Sequence, residues 1–261
     1  MNTRIYHGDS LEVLPTIKRN EVDLVITSPP YNIGMSYISY DDNKSYEDYL
    51  LDMTKIFAQC YDVMKDDARL CLNIPTTKQV PVRKSLYIDL GNLLQDIGFI
   101  YRDDIVWYKQ TIHRRTAWGS WASSSDPYLV RPYETILIFH KQKKKKETWV
   151  SDITADEFKM WTNSLWEIPP ESKLSKRHPA VFPEELPKRL MKFYGSPGDV
   201  VLDPFVGSGT TSRVARQLGR SSIGIEIDDQ YVGLALSRTF GEDSYQISSD
   251  KNYTLYHRRD E

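Results

Sequence analysis

Two short runs in the chain combine residue types that do chemistry at fixed spacing. The first is Thr27-Ser28-Pro29-Pro30-Tyr31-Asn32, directly after the apolar run Leu24-Val25-Ile26. Paired prolines make a rigid turn, and the residue before each proline is pushed to extended geometry. The Ser28 and Pro29 carbonyls are thereby kept out of a helix ladder and left as outward acceptors. The Ser28 hydroxyl adds a group that donates or accepts. Tyr31 supplies a flat face for a planar ring. Ser28, Pro29, Pro30 and Tyr31 together suit a planar ligand that carries an amino group. The bland alternative is a plain strand-ending turn.

The second run is Asp203-Pro204-Phe205-Val206-Gly207-Ser208-Gly209-Thr210-Thr211, after the apolar run Val200-Val201-Leu202. Gly207 and Gly209 tolerate positive φ and let a ligand approach the backbone closely. The helix that follows offers free N–H groups and positive potential at its start. Strand, Gly-x-Gly, helix is the layout of nucleotide-type cofactor sites. Glu226, 19 residues after Gly207 at the end of the next apolar run, stands where an acid accepts ribose hydroxyls. No Lys follows Gly209, which disfavours a P-loop ATPase. The third glycine of a dinucleotide fingerprint is replaced by Ser212.

The elements that must position these runs follow from periodicity. Val22–Ile26, Arg69–Asn73, Asp199–Leu202 and Ser222–Ile225 read as strands, with further strands at Ile105–Trp107 and Thr135–Phe139. Helical stripes run over Tyr46–Met64, Leu86–Ile97, Glu184–Tyr194, Thr210–Leu218 and Gln230–Thr239, with Gly98, Gly195 and Gly219 as stops. Short apolar strands alternating with helices predict an α/β fold with a twisted, mostly parallel sheet and helices on both faces. Both motifs should then open onto its carboxyl edge. From Gln110 to His178 the pattern is irregular, apart from the strand at 135–140. The expected division is a core of residues 1–109 and 177–240, an insertion of 110–176, and a tail of 241–261.

Composition narrows the classes. The chain has 261 residues, 40% hydrophobic and 27% charged, which is ordinary for one or two globular domains. Its apolar runs are far too short for a membrane helix, and its start has no signal-peptide pattern. Two cysteines, Cys60 and Cys71, make no disulfide framework and fit a reducing cytoplasm as small core residues. The five His are scattered, and no Cys/His spacing suggests a metal. The formal net charge is −2, so a nucleic-acid partner needs a local patch. Between Lys109 and Glu147 nine Lys/Arg face three Asp/Glu, and all six Trp lie between 107 and 166. Bases and aromatics in one region suit phosphate and base contacts; the alternative is a solvated hairpin over a Trp-lined core.

Ser28-Pro29-Pro30-Tyr31 and Asp203-Pro204-Phe205-Val206-Gly207-Ser208-Gly209 together resemble the paired signatures of amino-group DNA methyltransferases. The catalytic motif precedes the cofactor motif, which resembles the permuted β-type order of restriction–modification enzymes. Gly8-Asp9-Ser10-Leu11-Glu12-Val13-Leu14 and His178-Pro179-Ala180 with Phe182-Pro183 extend the likeness over most of 5–238. The resemblance implies a Rossmann-like methyltransferase fold and S-adenosyl-L-methionine as cofactor. It assigns Asp9 to the cofactor adenine, Glu226 to its ribose, and Asp203, Phe205, Gly207, Gly209 and Thr210 to the same site. It also makes 110–176 a target-recognition region, with Arg114, Arg115, Lys143 and Lys144 as candidate contacts to double-stranded DNA. A cognate restriction endonuclease and a second copy of the chain are further partners to test.

Within this likeness the reaction moves a methyl group to an exocyclic amino nitrogen of a flipped-out base, with Tyr31 stacked on it. Cytosine C5 chemistry would need a Cys nucleophile on a Pro-Cys turn, which neither cysteine provides. Ser at position 28 leans to cytosine N4, because the family's adenine-N6 enzymes more often carry Asp there. Adenine N6 is the nearest alternative. A non-catalytic DNA-binding module on the same fold, or a methyltransferase acting on RNA or protein, is the alternative from another class.

Overall fold

Burial along the strands decides how the sheet is covered. In strand β2 (Val22–Thr27) every residue is buried, so both faces of the strand carry other elements. The structure is a computed structural model, and it describes residues 1–32, 44–75, 84–110, 120, 122–127, 129, 131–143, 149–171 and 181–259. The other strands are β1 (Asn2–Gly8), β3 (Met64–Ile74), β4 (Ile100–Tyr108), β5 (Tyr133–His140), β6 (Leu165–Glu167), β7 (Val200–Asp203), β8 (Ser221–Glu226), β9 (Gln246–Ser249) and β10 (Tyr253–Arg259). Among the described residues they form one ten-stranded sheet in the order β6-β4-β5-β3-β2-β7-β8-β1-β10-β9. Neighbours from β3 to β1 pair in parallel, whereas β5 and β10 run against their neighbours. The expected Rossmann-like sheet is the sheet observed.

Helices α1 (Ser10–Val13), α2 (Tyr46–Val63) and α3 (Leu86–Ile97) cover one face. Their Val13, Phe57 and Leu90 pack on Val25, Leu70 and Leu202. Helices α4 (Ala155–Trp161), α5 (Glu185–Tyr194) and α6 (Thr210–Gln217) cover the other, where Trp161, Leu190 and Val214 meet Leu24, Ile26 and Val201. Helix α7 (Asp229–Phe240) adds Val232, Leu236 and Phe240 over Ile5. Cys60 and Cys71 are buried and free, and burial pushes both thiols far above their ordinary range. Neither is a nucleophile.

Two regions are more regular than their sequence suggested. Inside 110–176, Thr154 and Glu157 form a capping box that starts α4, and β6 pairs in parallel with β4. Trp107, Trp161 and Trp166 are core residues there, with the Trp107 indole N–H bonded to the Ile168 carbonyl and that of Trp166 to the Trp161 carbonyl. For these three, packing replaces the expected contact with bases. The expected tail, 241–261, instead contains the β9–β10 hairpin, which pairs antiparallel with β1. Among the described residues, Gln246–Ser249 are exposed and 253–258 only partly buried, so the hydrophobic pattern carried little signal.

Arg220 anchors α4's lead-in to the core. Its guanidinium is 0% exposed and holds Asp152 in two hydrogen bonds of 3.0 and 2.9 Å. Asp152→Ala would leave that cation buried without its counter-charge, a cost of about 2–3 kcal/mol after discounting for the partial exposure of Asp152. The urea midpoint should fall accordingly, and Arg220→Met in the same background should recover part of the loss. An unchanged midpoint in Asp152→Ala would show that this anchor carries no stability.

Candidate active site

The topology brings distant residues to one edge. Strands β7 and β8 insert between β2 and β1, so the turn after β2 lies beside the loop after β7, and His7 of β1 pairs with Glu226 of β8. All of these ends face the carboxyl edge. A cavity of about 370 Å³ opens there, lined among others by Asp9, Ser28, Pro29, Pro30, Tyr31, Phe205, Gly207, Thr210, Glu226 and Asp228. Asp9 and Glu226, 217 residues apart, share it as expected.

Each cofactor-motif residue has a local reason for its place. Gly207 takes φ +51° and Gly209 φ +78°. The Gly207 N–H donates to Glu226 Oε2 at 2.8 Å, and the N–H groups of Ile227 and Asp228 donate to Oε1. Asp9 caps α1, and Asp228 caps α7. Ser10 donates its hydroxyl to the Pro204 carbonyl, fastening the Asp9 turn to the β7 loop. Thr210 accepts from Arg238 at 2.9 Å. Gly209 and Asp203 stand differently from expectation, because neither lines the cavity. A Cβ on Gly209 would lie 2.8 Å from the Ala235 Cα, so the close approach it permits is that of α7. The buried Asp203 carboxylate accepts from Thr27 at 2.7 Å, from Thr211 at 2.6 Å and from the Phe205 N–H.

Behind the Ser28 turn lies a polar network that the sequence did not announce. Ser28 Oγ is 2.6 Å from the Tyr31 hydroxyl and donates to the Asn73 carbonyl at 3.1 Å. Tyr31 donates to Glu134 Oε2 at 3.3 Å, and the Asn73 amide donates to the same oxygen at 2.6 Å. Lys109 is ion-paired with Glu134 Oε1. Tyr31 is only 9% exposed, so it belongs to the wall of the cavity rather than standing free as a stacking platform. A lone acid at the start of the apolar run 135–139 was the one sequence signal for Glu134. For Asp228 it was an acid two residues after Glu226 at a helix start.

The basic residues divide. Strand β5 runs antiparallel to β3, with Thr135 beside Ile74 and His140 beside Arg69. Lys143 therefore follows β5 at the amino edge, away from the cavity by roughly the 25 Å length of an eight-residue strand. By contrast, Lys109 and Pro132, which flank the segment carrying Arg114 and Arg115, are bonded to each other at the carboxyl edge. Arg114, Arg115 and Lys144 themselves lie outside the described residues, as do Trp118, Trp121 and His178.

A family model described as DNA methylase, for N6 and N4 amino-group enzymes, matches residues 22–237. The chain belongs to this family. The type II methyltransferase M.MjaVI of Methanocaldococcus jannaschii is 46% identical over 159 residues, 60% of this chain and 81% of that protein. M.HpaI of Haemophilus parainfluenzae is 30% identical over 254 residues, 93% of this chain and 76% of that one. TTHA0409 of Thermus thermophilus, solved in complex with S-adenosyl-L-methionine, has a TM-score of 0.72 at 26% identity and covers 91% of this methylase and 93% of itself. No described helix of the methylase is long and apolar enough to cross a membrane.

The cofactor of this family is S-adenosyl-L-methionine, and the cavity suits its chemistry. Carboxylates of Asp9, Glu226 and Asp228 on the lining offer acceptors for an amine and a diol, and favour a cation. Phe205, Ile227 and Tyr231 offer apolar surface for a planar ring.

Burial pushes the Glu226 carboxyl up to about 7, against the pull of the three backbone N–H groups. The native state thus holds this proton more tightly than the unfolded chain does. The group's contribution to stability is full in acid and fades as pH rises through 7. Binding runs the other way if ribose hydroxyls donate to the carboxylate, because only the ionised form accepts fully. Cofactor affinity measured by calorimetry should rise about tenfold from pH 6 to pH 8 as the group ionises. Glu226→Gln should bind more weakly and with a flat profile. An equally steep profile in that variant would remove Glu226 from the ribose.

Proposed function

We propose that this methylase transfers a methyl group to the exocyclic N4 of cytosine in double-stranded DNA, as the modification enzyme of a restriction–modification pair. The observation that carries the reading is the neutral Ser28 hydroxyl on the same cavity as Asp9 and Glu226. S-adenosyl-L-methionine supplies an activated methyl on a sulfonium centre, with a neutral thioether as leaving group. The protein's part is positioning, desolvation and hydrogen bonding. An exocyclic amino nitrogen is a poor nucleophile while its lone pair is delocalised into the ring. Ser28 Oγ and the Pro29 carbonyl accept hydrogen bonds from its N–H groups and favour a tetrahedral nitrogen as positive charge develops, and the methylated nitrogen then releases one proton to solvent. A cavity recessed at the sheet edge is out of reach of a stacked base, so the target is flipped out of the duplex. Pro30 and the Tyr31 ring form the wall against which it rests.

DNA approaches the carboxyl edge, where the segment with Arg114 and Arg115 begins and ends. Lys143, which follows β5 at the opposite edge, is then distant from the target base. Converting Arg114 and Arg115 to Gln should lower the salt slope of DNA binding by up to about one per lost phosphate contact, whereas Lys143→Gln should leave it unchanged. The reverse pattern would put the duplex on the other edge.

Product analysis tests the chemistry. Labelled cofactor and duplex DNA, followed by digestion and mass spectrometry, should yield N4-methylcytosine. Ser28→Ala should slow transfer at least about tenfold while sparing cofactor affinity. N6-methyladenine as the sole product would overturn the base assignment, and label confined to RNA or protein would overturn the substrate.

A further inference from the structure

We infer that Glu134 is a positioning residue for methyl transfer, which acts through Tyr31 and Asn73 to turn the Ser28 proton inward and leave the Ser28 oxygen as an acceptor toward the cavity. The inference rests on the reading above, in which Ser28 meets the target amino group.

The reasoning is a count of protons. Glu134 is held as an ion pair by Lys109 through Oε1, so its Oε2 accepts and does not donate. Two groups converge on that oxygen, the Asn73 amide at 2.6 Å and the Tyr31 hydroxyl at 3.3 Å. If Tyr31 gives its proton to Glu134, its oxygen accepts from Ser28 at 2.6 Å. If Tyr31 instead donates to Ser28, the Ser28 proton has the Asn73 carbonyl at 3.1 Å. In both arrangements the Ser28 proton points into the protein, but the Asn73 amide also lies 3.4 Å from Ser28 Oγ, so only the first, in which Tyr31 gives its proton to Glu134 and none to Ser28, leaves a lone pair for the cavity that Ser28 lines. An amino group offers hydrogens, so a serine that offered its own proton would repel it. Nothing in the Ser28–Tyr31 turn itself decides this direction. The decision comes from β3, β4 and β5, which bring Asn73, Lys109 and Glu134 behind the turn.

A carboxylate at position 28 needs no such help, because it accepts in any orientation. A hydroxyl does, and the buried charge that fixes it stands one residue further back.

The test is a double-mutant cycle in the full-length enzyme, with methyl transfer to duplex DNA as readout. Glu134→Gln should lower kcat by about ten- to hundredfold, the scale of one lost charge-assisted hydrogen bond, with KM for DNA and cofactor affinity within about twofold. Tyr31→Phe cuts the same chain without touching the ion pair and should lower kcat to a similar extent. Either change added to Ser28→Ala should cost little more than Ser28→Ala alone, because the effect passes through the Ser28 hydroxyl. Glu134→Asp should retain more kcat than Glu134→Gln. Full kcat in Glu134→Gln and Tyr31→Phe, or losses that add to that of Ser28→Ala, would overturn the inference while wild-type transfer leaves the functional reading standing. A wild-type enzyme that methylates no amino group in DNA would overturn both.

Discussion

The buried carboxylate of Asp203 is the point on which the site depends. It accepts from Thr27, the last residue of β2, and from Thr211, in the first turn of α6. Thr27 precedes the Ser28-Pro29-Pro30-Tyr31 turn, and Thr211 follows the glycine loop. One side chain therefore sets the distance between the turn that would hold the base and the loop that would hold the cofactor. Burial pushes its carboxyl up to about 6, and the two hydroxyls and the Phe205 N–H pull the other way. An acid buried so deeply is tolerated because its donors are already in place. Methyl transfer requires two ligands aligned at van der Waals distance, and a rigid tie between their supports is a direct way to secure it.

Around that tie the molecule separates two kinds of interior. The faces of the sheet are apolar and close-packed, from Val25, Leu70 and Leu202 on one side to Leu24, Ile26 and Val201 on the other. The carboxyl edge collects acids and hydroxyls: Asp9, Ser28, Glu134, Glu226 and Asp228. Strand ends have backbone groups that the ladder does not use, and helix starts have N–H groups without partners. Glu226 draws on donors of both kinds, through Ile227 at the end of β8 and through Gly207 and Asp228 at the approaches to α6 and α7. This is why polar residues accumulate at one edge of a sheet whose middle admits almost none.

The order of motifs along the chain has a structural counterpart. Strands β7 and β8 come late in sequence but lie between β2 and β1 in the sheet. The glycine loop after β7 is thereby set between the Ser28-Pro29-Pro30-Tyr31 turn on one side and Asp9 on the other. A chain that carries the Ser28–Tyr31 turn before the glycine loop can build this edge, because neighbours in a sheet need not be neighbours in sequence. The β9–β10 hairpin then covers the outer side of β1, which would otherwise present an open edge close to the cavity.

What the sequence determined by itself was the set of local structures and the cavity's two principal motifs. Apolar strands, helix stripes and glycine stops lie within a few residues of their expected limits. Ser28, Tyr31, Gly207 and Glu226 reach one cavity because strand–turn–helix signals are local and the sheet rule sends them all to the carboxyl edge. Tertiary structure alone decided the roles of residues whose partners are far away. Asp203 and Gly209 look like cofactor residues in sequence, but one is claimed by Thr27 and Thr211 and the other by Ala235. Lys143 looked like part of one basic patch, and the antiparallel direction of β5 carries it to the opposite edge. Glu134, Asn73 and Lys109 carry no motif at all. Their meaning arises where three strands end behind Ser28, and a hydrogen-bond partner 103 residues away from Tyr31 leaves no periodic trace in the chain.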